Sequence, residues 1–194
     1  MSEENISGWE KLKSWFKAEE EPRSDIVIRN CTFKSQVKVA EETLLLNGAG
    51  LRSVNGEEIY AVGLYLPLKT SRADTAKALL GARRVTLFIL QDLIPADYIQ
   101  SLRNGIQQNT NETSQEFIKE EQAQIEDLMK RIGSFSAGDK VDVDWIPRRG
   151  TSIKINGKVV KDRIRGKAIY DAIMLIWLGN HSLEASLRDS LLHV

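Results

Sequence analysis

The chain is poor in cysteine and histidine. Cys31 is the single cysteine in 194 residues, so no disulfide framework forms within it. His181 and His193 are too few and too poorly spaced for a zinc site. Net charge is also lacking. Twenty-seven acidic residues balance 27 basic ones, so no broad field steers the molecule to nucleic acid or an anionic membrane. The longest apolar run, Ala172 to Leu178, falls far short of the roughly 20 residues that span a bilayer. The first residues are acidic through Glu3 and Glu4, and no apolar signal core follows them. Taken literally this describes a soluble cytoplasmic protein, although a chain with its leader removed reads the same. No glycine-rich phosphate loop occurs: Gly48-Ala49-Gly50 is too short and reads as a turn before a strand. There is no repeat and no low-complexity segment, and no metal or cofactor is expected.

What is present is a core. Apolar residues make up 42% of the chain, enough for one domain with a short appendage. The appendage is residues 1–24. Ile6, Trp9, Leu12, Trp15 and Phe16 recur at three- and four-residue spacing, which predicts an amphipathic helix from near Ser7 to before Pro22. Its stripe packs on the domain or a neighbouring subunit, or else dips two tryptophans into a membrane interface or docks on a partner through residues 6–16.

From Asp25 the pattern becomes one of strands. Ile26–Ile28 and Val37–Val39 read as short strands paired with each other, and Glu42–Leu46 as another. Asn55-Gly56 between apolar segments is a strong hairpin signal, and Pro67 ends the strand that follows it. Ser71 or Asp74 caps a short helix, Thr75–Leu80. The strand Arg84–Gln91 is apolar on both faces, which predicts that both are covered. A helix opening at Pro95 and one capped by Asn111 or Thr113 come next, then strands over 140–146 and 151–155 around Pro-Arg-Arg-Gly. Asn156-Gly157 makes a further hairpin. An apolar helix, Ala168–Trp177, ends at Gly179 as a left-handed cap, and Leu183–Leu191 closes the chain. Hairpins of strands with helices grouped between and after them predict an α+β fold, an antiparallel sheet packed against a layer of helices.

Several of these segments are distinctive in order: Leu46-Asn47-Gly48-Ala49-Gly50-Leu51-Arg52, then Ile59-Tyr60-Ala61-Val62-Gly63-Leu64-Tyr65-Leu66 and Phe88-Ile89-Leu90-Gln91-Asp92. Asp144-Trp145-Ile146-Pro147 with Gly150-Thr151, and the terminal helix pair, complete the series. From about residue 25 to the end, the chain resembles the chalcone isomerase-like family, most closely its bacterial isomerase-like and fatty-acid-binding branches. The resemblance implies an open-faced β-sandwich with its ligand in a cleft between sheet and helices. It also matches Arg52 to the family's active-site arginine, and Tyr98 to the tyrosine beside the substrate carbonyl. Three positions depart from the isomerases. Tyr60 stands for a threonine, Gly105 (or Asn104, if the register slips by one) for an asparagine, and Tyr170 for a small hydroxyl residue.

The two tyrosines in place of small polar residues narrow a flavonoid-sized cleft and remove groups that place the substrate, which argues against chalcone cyclisation. The leading expectation is a binder of a small amphipathic anion such as a fatty acid. Arg52 and a tyrosine would grip the carboxylate through charge-assisted hydrogen bonds, with Tyr98, Tyr170 and Gly105 completing the site. By family resemblance that tyrosine is Tyr60; by strict strand parity after a two-residue turn it is Tyr65. The alternatives are an isomerase or lyase on a small enone using Arg52 and Tyr98, and an interaction protein using the tryptophan-rich N-terminal segment. Trp145, Trp177 and Cys31 read as core. Arg148-Arg149 reads as a solvated rim at a turn, able to steer an anion.

Overall fold

The computed structural model describes residues 24–192; the expected amphipathic helix before Pro22 lies outside them. A two-stranded hairpin, β1 (Ile26–Ile28) and β2 (Cys31–Phe33), precedes a seven-stranded antiparallel sheet. That sheet runs in sequence order through β3 (Gln36–Val39), β4 (Glu42–Val54), β5 (Glu57–Leu66), β6 (Arg83–Ile89), β7 (Lys140–Ile146), β8 (Gly150–Ile155) and β9 (Lys158–Ile164). The helices are α1 (Ala73–Ala78), α2 (Pro95–Asn109), α3 (Glu112–Phe117), α4 (Lys119–Ile132), α5 (Lys167–Leu178) and α6 (Ala185–Leu191). The architecture is the α+β layer that the hairpin and helix patterning predicts.

Both Asn-Gly pairs form the tight turns expected of them. Asn55 and Gly56 have φ of 52° and 84°, and Asn156 and Gly157 have 50° and 80°. Two successive positive φ angles match the right-handed twist of the flanking strands. Both faces of the central strands are covered. On one, Val62, Leu64 and Val85 pack with α5 residues such as Ile173 and Trp177. On the other, Phe33, Leu44 and Tyr65 form a second cluster beneath the β1–β2 hairpin. This second face also carries buried charge. Arg84 donates to both carboxylate oxygens of Asp144, at 2.6 and 2.8 Å, and Lys154 approaches the same group at 3.1 Å.

Local pairing departs from the sequence reading in several places. β1 pairs with β2 rather than with Val37–Val39, which pairs with β4. Gly48-Ala49-Gly50 is no turn: it lies inside the 13-residue strand β4. Its glycines are there because α6 lies directly on the strand. A Cβ on Gly48 would stand 2.2 Å from the Ser190 carbonyl oxygen, and one on Gly50 would stand 2.5 Å from Leu187 Cδ1. Gly179 ends α5, but with φ of −71° rather than in the left-handed region. Glycine is required there by space, since a Cβ would meet Asn109 Oδ1 at 2.0 Å. The short helix starts at Ala73 without a side-chain cap, so neither Ser71 nor Asp74 serves that role. Asn111 does cap the next helix, accepting from the Ser114 amide at 2.8 Å, although the segment breaks at Ile118 into α3 and α4. The closing helix begins at Ala185, leaving Leu183 and Glu184 in the connection from α5.

Candidate ligand-binding site

A cavity of about 150 Å³ lies between the sheet and α2, α4 and α5. Leu87, Val143 and Ile153 rise into it from the sheet, while Leu102, Leu128 and Ile176 close it from the helices. These positions follow from strand alternation and helical spacing, which turn one apolar face of each element inward. Polar groups are scarce along its wall: Tyr60, Tyr98, Ser101 and Trp177 supply them.

Tyr60 reaches this wall because of a bulge. Val54 pairs with Glu57 and Ser53 with Glu58, but Arg52 pairs with Tyr60, leaving Ile59 as the extra residue. One inserted residue reverses the alternation, so Tyr60 stands directly opposite Arg52. Tyr65 lies opposite Leu46 and belongs to the cluster on the other face of the sheet.

The Tyr60 hydroxyl accepts a hydrogen bond from Trp177 Nε1 at 2.9 Å. Among the described residues, no acceptor takes the hydroxyl's own proton. Burial pushes the phenol up to about 12, against the opposing pull of the Trp177 hydrogen bond and the Arg52 charge. At neutral pH it is therefore a donor, not an anion. Arg52 is largely buried, with 18% of its side chain exposed. Its Nη1 donates to the Leu183 carbonyl at 3.1 Å and to Glu184 Oε2 at 3.3 Å. Glu184 also accepts from the Ser53 amide at 3.3 Å and from the Ser186 hydroxyl at 2.8 Å. Burial pushes its carboxyl up, but Ser186, Ser53 and Arg52 outweigh that and hold it below the ordinary range. Leu183, between these groups, lines the cavity.

The other expected site residues are spread more widely. Tyr98 contributes its ring to the cavity and packs on Phe135 with ring centroids 5.1 Å apart. Its hydroxyl lies 2.8 Å from the Met129 carbonyl and 2.5 Å from the Gly133 carbonyl, closing the C-terminal end of α4. Arg52 points instead to the α5–α6 connection, so the structure does not bring these two polar groups to one point. Gly105 lies at the crossing of α2 and α5, where a Cβ would stand 2.9 Å from both γ carbons of Ile176. An asparagine does not fit there. Tyr170 is fully buried beside Trp145, outside the cavity wall, and among the described residues its hydroxyl has no hydrogen-bond partner.

Three participants escaped the sequence reading. Trp177 has the periodicity of a core residue, and nothing in its surroundings in sequence marks the indole N–H as a partner of Tyr60. Leu183 and Glu184 looked like the first turn of a helix. Only the fold carries them 131 and 132 positions back along the chain to Arg52.

A curled antiparallel sheet with a helical layer, and an apolar cavity between them, define the chalcone isomerase-like class of α+β protein. The family model described as chalcone isomerase-like matches residues 26–193, and the chain belongs to that family. A search of curated proteins finds no match. Among solved structures, the chain is similar to the crystal structure of a fatty-acid binding protein from Arabidopsis thaliana. The TM-score is 0.64 at 15% identity, covering 87% of this chain and 96% of that one. At this identity the likeness speaks for the fold.

Proposed function

We propose that the cavity binds a small amphipathic carboxylate of the fatty-acid class, without chemical conversion. The observation that carries this reading is Tyr60 in the cavity wall with Arg52 as its cross-strand neighbour just behind it. The Tyr60 hydroxyl is held by Trp177 with its proton unclaimed among the described residues, opposite the Arg52 guanidinium. A phenol donor beside a guanidinium suits a carboxylate, and the rest of the wall suits an alkyl chain. The similarity in fold to a fatty-acid binding protein supports the same class of ligand. In this reading the ligand's carboxylate takes the place that Glu184 holds against Arg52. A cavity of about 150 Å³ is the size that accepts benzene, and it is smaller than the roughly 300 Å³ of ordinary ligand pockets. A long tail therefore needs more room than this cavity holds.

Calorimetric titration with laurate tests the reading. Arg52→Ala loses a charge-assisted contact and binds laurate about tenfold or more weakly, while dodecanol, which lacks the carboxylate, binds both proteins alike. Equal laurate affinity in wild type and Arg52→Ala overturns the carboxylate role. No laurate uptake by the wild type overturns the function.

A further inference from the structure

A second group of polar side chains converges outside the cavity wall. The β7–β8 turn carries Arg148 and Arg149, and the end of β9 with the following residues carries Arg163 and Arg165. Gly150 brings the two segments together. It has φ of 105°, and a Cβ there would stand 2.3 Å from the Ile164 carbonyl oxygen, so the turn packs directly on the end of β9. The four arginines, with Trp145 and Pro147, line an open groove of about 780 Å³. Along β6, the partner of Trp145 is Arg83 and the partner of Tyr60 is Ile89. Six strand positions separate them, about 20 Å, and although Val143 of the cavity wall is only two residues from Trp145, groove and cavity share no lining residue.

The charge here is unbalanced, although the chain as a whole is neutral. Asp162 is the one carboxylate that pairs with these arginines among the described residues. Arg149 occupies it through Nε at 3.1 Å and Nη2 at 2.6 Å, and Arg163 Nε approaches at 3.8 Å. Arg148 and Arg165 have no ion pair among the described residues. Glu121 borders the groove at Gly166, where its Oε1 lies 3.8 Å from the position of a Cβ, but it pairs with none of the four. Arg148 and Arg163 also hold left-handed backbone, with φ of 63° and 61°, which is unfavourable for a residue with a side chain. Guanidiniums gathered in this way repel one another unless an anion lies between them.

We propose that this groove binds the phosphate dianion of a phosphate ester. Guanidinium forks match tetrahedral phosphate oxygens in pairs, and the half-buried Trp145 offers an apolar wall to the organic part. Two sources of this chemistry are distinguishable: a soluble phosphate ester and a phospholipid headgroup.

The test uses the full chain. Phenyl phosphate is titrated while the Nε–H signals of arginine are followed by NMR, with acetate as the monovalent control. Phosphatidylcholine vesicles with and without phosphatidic acid form the second arm. The proposal expects saturable shifts at about 1 mM or below for phenyl phosphate and none for acetate. The Arg148→Gln/Arg165→Gln variant, both positions exposed, weakens this binding at least about tenfold, with laurate uptake in the cavity unchanged. Binding of phenyl phosphate alone assigns a soluble ester; binding of phosphatidic acid vesicles, lost in the variant, assigns a headgroup. Absence of binding in both arms, equal binding of acetate, or equal binding by the variant overturns the proposal.

Discussion

Tyr60→Phe isolates the group on which the candidate site depends. The ring stays, so packing is kept, but the acceptor of Trp177 Nε1 at 2.9 Å is lost. Trp177 is only 8% exposed, so its indole N–H is left buried and unpaired. That costs about 1–3 kcal/mol, which in a domain of this size lowers Tm by roughly 2–10 °C. The alkaline response changes as well. In the folded protein burial raises the Tyr60 phenol to about 12, above its ordinary value of 10. The folded state thus holds this proton more tightly than the unfolded chain does. Its contribution to stability is fully present below about pH 10 and is lost as pH rises through about 12. The total is on the order of 2–3 kcal/mol. Tyr65 and Tyr170 are also pushed up by burial, but both remain in the variant, so the difference between the two proteins belongs to Tyr60. Urea denaturation at intervals from neutral to strongly alkaline pH measures both effects. Wild type is the more stable at pH 8, and the gap closes above pH 10. Equal stability at pH 8 refutes the value assigned to the Trp177 hydrogen bond, and parallel alkaline curves refute the burial of the phenol.

Replacing Glu184 with Gln removes the charge that competes for Arg52, so laurate affinity measured by calorimetry rises about fivefold while dodecanol affinity does not change. Asp144→Ala leaves the Arg84 guanidinium, 8% exposed, without its fork partner and Lys154 without its nearest carboxylate. The expected loss is about 3–5 kcal/mol by chemical denaturation. Gly48→Ala forces α6 off β4, because the new methyl meets backbone at 2.2 Å. It lowers stability by about 1–3 kcal/mol or more in thermal unfolding. By displacing the helix that follows Leu183 and Glu184, it also weakens laurate binding.

The elements whose form is set by near neighbours in sequence were the legible ones. Asn-Gly turns, a proline at the first turn of α2, the Asn111 cap and the apolar faces of the helices and central strands rest on local dihedral preference and on periodicity. A single cysteine excluded an intrachain disulfide in the same way. The order of motif segments was enough to place the chain in its family, and with it the α+β layer. What the tertiary structure decided was everything that depends on two distant segments touching. Gly48 and Gly50 belong to a strand only because α6 presses on them, and Gly179 is needed for room beside Asn109 rather than for a left-handed cap. Whether Tyr60 or Tyr65 faces Arg52 turned on the extra residue at Ile59, and a bulge leaves no mark in residue type. The engagement of Arg52 with Glu184, the hydrogen bond from Trp177 to Tyr60 and the gathering of four arginines at one groove join residues far apart in the chain. Sequence periodicity reports which face of an element is apolar; only the packed fold determines which atoms that face meets.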